Sequence, residues 1–141
     1  METGIVVVER VGGKSTVSRC FSKYPLKLIV PNKVGSSKTD AVWIYTLSYG
    51  GGIVSARIGR NALLAVIPDP VTCFSTARYS QKQVFRVFSD SNLVIVDWIT
   101  SGRHESGEKW EFELYKSTNQ IFLEEDQPLF LDSVILFYDA L

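Results

Sequence analysis

The sequence predicts an all-β protein, its short strands forming either a sandwich or a stacked-sheet solenoid, with few or no helices. Three observations carry that expectation. Apolar residues alternate at period two in one segment after another, no stretch sustains a helical period, and clusters of Gly, Pro, Asn, Asp and Ser break the chain at turn-like intervals. At 141 residues, with 45% apolar and 12% aromatic residues, the chain has material for one domain with a real core.

The elements follow in order. Residues 5–11, 15–21 and 26–30 read as strands separated by Gly12-Gly13 and Tyr24-Pro25. Residues 32–40 form a polar loop. Residues 41–49 have strong β propensity and end at Gly50-Gly51-Gly52, where the sheet is expected to turn a corner, a close backbone approach being the other use of such a triplet. Residues 53–58 alternate, with Val54, Ala56 and Ile58 on one face, and residues 62–67 are almost wholly apolar until Pro68-Asp69-Pro70 stops them. Residues 71–77, 83–88, 93–99, 110–115 and 120–124 complete the set. Leu93 to Val96 is apolar on both faces and reads as an interior strand. Asp90-Ser91-Asn92 and Ser117-Thr118-Asn119 read as hairpin turns, which makes the second half a meander.

Charge and composition exclude several functions. Fifteen basic and fifteen acidic residues cancel without a basic cluster, so no nucleic-acid partner is expected. The apolar run from Ile5 to Val8 is too short for a signal or a membrane span and is flanked by Glu2 and Glu9, so the protein reads as cytoplasmic. Cys20 and Cys73 form no CxxC pair and read as reduced, buried thiols.

The polar segment from Asp97 to Trp110 holds the candidate chemistry. Strands ending at Trp98 and restarting at Trp110 frame it, and Gly102 and Gly107 bracket Arg103, His104 and Glu105. A catalytic reading would pair the single histidine, His104, with Ser101 or Ser106 and with Asp97 or Glu105. These crowd into one loop, whereas triads are assembled from distant positions, so no enzyme activity is expected. A closed zinc or copper site lacks ligands; Asp97, Glu105, Glu108, Glu111 and Glu113 offer at most weak contacts to a divalent ion. The three Trp, six Tyr and eight Phe exceed the needs of a small core, so some should face a partner. Physics alone stops at a β-sandwich module that binds a protein or a ligand.

Several ordered blocks go further. Val8-Glu9-Arg10-Val11-Gly12-Gly13-Lys14-Ser15, Arg19-Cys20-Phe21-Ser22-Lys23-Tyr24-Pro25-Leu26-Lys27, Trp43-Ile44-Tyr45, Tyr49-Gly50-Gly51-Gly52-Ile53-Val54-Ser55, Pro68-Asp69-Pro70-Val71-Thr72-Cys73-Phe74, Gly102-Arg103 and Gly107-Glu108 occur in that order. With these the chain resembles the urease accessory protein UreD family, called UreH in some bacteria, and its plant members in particular. The resemblance implies a helicoid β stack that acts without catalysis, binds apo-urease, UreF and the GTPase UreG, and helps deliver nickel(II), held only transiently. Gly50, Gly51, Gly52, Asp97, Trp98, Gly102, Arg103, Gly107 and Glu108 are the binding positions it suggests, with Asp97 and Glu108 as weak metal candidates. The resemblance also implies one partial domain over residues 1–141. Family members continue from Ser55 with a block that this chain replaces by Ala56-Arg57-Ile58-Gly59, which places an internal deletion near 55–56, and the tail at about 133–141 diverges. Missing strands bear on stability, because they leave edges and apolar faces uncovered.

Overall fold

The computed structural model describes residues 2–31 and 40–138, so the predicted loop at residues 32–40 lies outside the described residues except for Asp40. Twelve strands occur among them: β1 (Gly4–Val11), β2 (Lys14–Ser22), β3 (Leu26–Ile29), β4 (Val42–Ser48), β5 (Ile53–Ile58), β6 (Leu63–Val66), β7 (Val71–Thr72), β8 (Arg78–Val87), β9 (Asn92–Ile95), β10 (Ile99–Thr100), β11 (Leu114–Leu123) and β12 (Gln127–Leu136). The only helical element described is a single 3-10 turn, His104–Ser106.

The strands wind as a helicoid. A six-stranded sheet in the order β12-β11-β8-β5-β1-β2 faces a four-stranded sheet, β3-β4-β6-β9, and β7 and β10 form a short third side. Successive circuits stack in parallel. Strand β5 lies beside β1 and β8, β8 beside β11, β6 beside β4 and β9, and β10 beside β7. The antiparallel strands β2 and β12 close the two ends of the large sheet. A solenoid arises when each circuit returns the chain to equivalent positions and buries its apolar face against the next.

The main core lies between the large sheet and the four-stranded sheet. Val6, Val8, Val54, Ala56, Ile58 and Phe85 face Leu26, Val42, Ile44, Leu64 and Val66, all nearly inaccessible to solvent. The predicted alternation in β5 is thus the observed one. The strand runs unbroken through Ser55 and Ala56, with regular partners on both sides. At one corner Asp40 accepts the Ser15 N–H at 2.5 Å and pairs with Arg10, while Ser15 Oγ accepts the Leu63 N–H at 3.0 Å, which ties β2 to β6.

Several expectations change. Ser117, Thr118 and Asn119 are no turn but the middle of β11, and Asp90-Ser91-Asn92 joins strands of two different sheets rather than a hairpin. The meander gives way to parallel circuits, because the inward Ser117 and Asn119 find polar partners inside the stack instead of water. Strand β9 is an edge of its sheet rather than an interior strand, with alternate residues exposed. Residues 96–98 lie between β9 and the two-residue β10, and residues 110–113 lie outside the strands, so the restart expected at Trp110 comes at Leu114. Cys73 is buried as expected, but Cys20 is exposed on β2, where no second sheet reaches it.

Candidate functional site

Strands β8 and β11 are ten residues long, whereas the facing strands β6 and β9 have four each. The inward face of the long strands therefore outruns its apolar cover and changes character along its length. Phe85 and Val87 on β8 end the dry part; Gln83, Gln81 and Tyr79 follow, beside Asn119, Ser117 and Tyr115 on β11. Buried polar groups need partners, and here they find one another. Gln83 Nε2 donates to Asn119 Oδ1 at 2.8 Å, and Asn119 Nδ2 donates to Asp97 Oδ2 at 2.8 Å. Ser117 Oγ donates to the same carboxylate oxygen at 2.5 Å and Tyr115 OH to Oδ1 at 3.4 Å. Tyr79 and Tyr115 stack with centroids 5.3 Å apart, and Tyr79 OH donates to Gln81 Oε1 at 2.5 Å. Burial pushes both phenols up, Tyr115 to about 12.

Over this polar floor opens a cleft of about 320 Å³. Its walls come from the end of β4 with Tyr49 and Gly50, from Pro68 to Phe74, and from Val96 to Trp98. Trp98 is half exposed and fixed at one end by its indole N–H, which donates to the Pro68 carbonyl at 2.9 Å. Asp69 and Asp97 are the carboxylates among the lining residues, and Cys73 supplies a thiol that burial pushes up. No group of three His, Cys, Asp or Glu able to hold a metal gathers among the described residues. The cleft offers oxygen and amide donors and acceptors beneath an aromatic rim, an arrangement for loose contacts rather than a closed cage.

The glycine triplet does more than turn a corner. The carbonyls of Gly50 and Gly52 accept the N–H groups of Ser80 and Lys82, each at 2.9 Å, so the triplet extends β5 along β8. Gly51 has φ +95°, and a Cβ there would lie 2.0 Å from the Ser80 carbonyl oxygen. Close approach is therefore the reason for glycine at this position.

Gly102, Arg103, Gly107 and Glu108 assemble next to the cleft, at a corner rather than inside it. Glu108 is buried and accepts the Ser75 N–H at 3.1 Å, the Arg103 N–H at 3.2 Å and Arg103 Nε at 3.0 Å. The Arg103 guanidinium, with support from the two N–H groups, holds this carboxyl down to about 2. That guanidinium also stacks on the ring of Phe74, 4.5 Å from its centroid, so the corner props the Pro68 to Phe74 wall. Gly102 and Gly107 take φ +111° and +80°. His104 is exposed; one ring nitrogen, Nε2, lies 2.9 Å from Ser101 Oγ, and Ser106 ends the same short turn, which Gly107 caps by donating its N–H to the His104 carbonyl. Of the other carboxylates, Glu113 pairs with Arg78 at 2.6 Å, while Glu105 and Glu111 are exposed.

Blocks distant in the sequence, Tyr49-Gly50, Pro68 to Phe74 and Asp97-Trp98, thus meet at one cleft. The profile of the UreD urease accessory protein family matches residues 54–140. Urease accessory protein D of Arabidopsis thaliana is 54% identical over 176 aligned residues, covering 96% of this chain. The chain belongs to the UreD urease accessory protein family. Urease accessory protein D of Oryza sativa subsp. japonica is 52% identical over 95% of the chain, and the UreD of the bacterium Sorangium cellulosum is 32% identical over 82% of it. The chain spans 60% of the Arabidopsis protein and 56% of the rice one. No helix among the described residues is long and apolar enough to cross a membrane.

The sequence reading of this UreD chain missed the polar floor. Tyr79, Gln81, Gln83, Phe85 and Val87 share one face of β8, and reading that face as one strand of ten residues would have exposed its change from polar to apolar. A strand begun at Gln83, as the sequence predicts, hides that change; the observed strand begins at Arg78.

Proposed function

We propose that this chain is a non-enzymatic, cytoplasmic scaffold of urease maturation, which holds apo-urease together with UreF and the GTPase UreG while nickel(II) passes to the urease site. Membership of the UreD family supports the setting. The observation that carries the reading is the meeting of Gly50, Asp97 and Trp98 at one cleft whose wall is braced by Arg103 and Glu108. Nickel is cargo here. A carrier must release it, and Asp97, already engaged by Ser117 and Asn119, offers the incomplete coordination that release requires.

The same reading makes the chain a version shortened by one circuit. The alignment with the Arabidopsis protein runs over 176 positions against 141 residues here, leaving at least roughly 35 positions unmatched. One circuit of this solenoid, from Ile53 to its neighbour Lys82 and on to Thr118, takes roughly 30 to 36 residues. Loss of a whole circuit returns the chain to an equivalent position, and the regular pairing of β5 through Ser55 and Ala56 suits a junction there.

Co-expression with apo-urease, UreF and UreG, followed by affinity capture of the chain, tests the function. The expected result is retention of apo-urease and UreF. A folded chain that retains neither would refute the scaffold reading.

A further inference from the structure

Neutral overall, the chain keeps its charges apart. Outward and inward positions alternate along β5, β8 and β11, and the outward ones carry Arg57, Arg78, Lys82, Arg86 and Lys116 but no carboxylate. The inward positions of the same strands carry no charge at all. Carboxylates cluster instead in the segment 97–113 and in the turn from Glu124 to Asp126, whereas an ordinary surface interleaves both signs. The sequence shows no basic run because the cations are spread singly over three strands, and only the register gathers them.

Parallel pairing sets Arg57 directly beside Arg86, and Lys116 beside Ser80, so that Lys116 stands between Arg78 and Lys82 of the neighbouring strand at about 8 Å from each. Like charges so placed repel. Three of the five are relieved from within. Glu113 pairs with Arg78 at 2.6 Å, and the Glu125 carboxylate receives both ends of the Arg57 guanidinium, Nη2 donating to Oε2 at 2.9 Å, while the Glu125 backbone carbonyl accepts Arg86 Nε at 3.2 Å. To deliver that carboxylate the turn holds Glu124 and Glu125 in the left-handed region, at φ +48° and +80°. Lys82 and Lys116 are exposed and have no ion pair among the described residues.

We infer that this outward face, centred on Lys82 and Lys116 and flanked by Arg78 and Arg86, docks a carboxylate-rich surface of a protein partner. All three strands are paired on both sides, β5 with β1 and β8, β8 with β5 and β11, and β11 with β8 and β12, so the face lies within the sheet and not at an edge. An apolar cover would bury the lysines unpaired, a cost that leaves water or anions as the occupants. Glu125 on Arg57 shows a carboxylate already received at one end of the face. Sheets that bind single-stranded nucleic acid present aromatic rings for base stacking; here the outward positions of the three strands offer only Phe122, half-buried and 5.5 Å from the Arg86 guanidinium that lies over its ring. The face is also the reverse side of the polar floor, since Lys82 stands between Gln81 and Gln83 and Lys116 between Tyr115 and Ser117. A partner held there leaves the cleft free, which on the scaffold role proposed above lets the chain hold two partners at once.

Fluorescence anisotropy tests this with a labelled polyglutamate peptide of about ten residues, long enough to span β8. The chain carries no net charge, so attraction of a polyanion must be local. The wild type is expected to bind, Lys82→Glu with Lys116→Glu to bind at least about tenfold more weakly, and Lys82→Gln with Lys116→Gln to fall between them. A matched reversal elsewhere, Lys27→Glu with Lys109→Glu, should stay within about twofold of the wild type. Carbodiimide coupling, which joins a bound carboxylate to the nearest amine, should place the peptide on Lys82 or Lys116 of the wild type, a readout independent of any folding defect in a variant. Neither measurement uses apo-urease or UreF, so the outcome is separate from that of the scaffold test. The inference is overturned by a wild type that does not bind the peptide, by equal losses in the two reversals, or by coupling chiefly at Lys27 and Lys109. Tighter binding of a single-stranded oligonucleotide of equal charge would also overturn it and assign the face to nucleic acid.

Discussion

Strands β8 and β11 run through two interiors of opposite chemistry. In the half nearer Val87 and Leu123, the inward side chains meet the apolar faces of β4 and β6 and exclude water. In the half nearer Tyr79 and Tyr115, the same strands carry Gln81, Gln83, Ser117 and Asn119 towards Asp97 and a cleft. The backbone ladder is continuous across both. One half holds the stack together through buried apolar area, and the other spends some of that stability on a polar floor beneath an open cleft.

Substitutions can break this contrast, beginning in the dry half. Phe85 is 0% exposed and central to the core, so Phe85→Ala should cost about 3–5 kcal/mol in urea unfolding, enough to threaten folding altogether. Gly51→Ala, at the rim of the polar half, combines a left-handed backbone with a clash against Ser80, and about 2–5 kcal/mol is expected in the same measurement. Asn119→Ala leaves Gln83 and Asp97 each short of a partner within the polar floor, for about 1–3 kcal/mol.

The smallest effect is one of pH. The Glu108 carboxyl is depressed in the folded state, so its contribution is fully present above the ordinary carboxylate range near 4.5 and is lost as pH falls towards about 2. Unfolding followed between pH 5 and 2 should show a steeper acid-side loss in the wild type than in Glu108→Gln, which has no proton to gain. Equal slopes would mean that the Arg103 pairing adds nothing to the corner.

The dry half was the more legible in the sequence. Val54, Ala56 and Ile58 announce their shared face by alternation, and burial follows directly. The helicoid stacking came with the family blocks, since period two alone marks strands without saying which lie side by side. The polar half misled for a physical reason: Ser117-Thr118-Asn119 has the composition of a turn, and only the neighbouring circuit supplies the Asp97 and Gln83 that make it a strand. Leu93 to Val96 failed in the opposite way. Its apolar residues suit an interior strand, yet β9 is the last of its sheet. The Gly102 to Glu108 corner was legible as a built loop, while its link to the cleft through Phe74 depends on a contact between segments far apart in the chain.

The central claim is that the polar half faces the partner and the dry half only supports it. Quantitative capture of apo-urease by three folded proteins tests it directly: the wild type, Trp98→Ala in the cleft rim, and Val11→Ala on the exposed end of β1. Val11→Ala should leave stability within about 0.5 kcal/mol, whereas Trp98→Ala gives up the Pro68 hydrogen bond and half of an indole's burial, about 1–3 kcal/mol, so capture is compared at a temperature where all three are folded. The account predicts that the wild type and Val11→Ala retain apo-urease while Trp98→Ala loses it at least about tenfold. Equal capture by all three would contradict it.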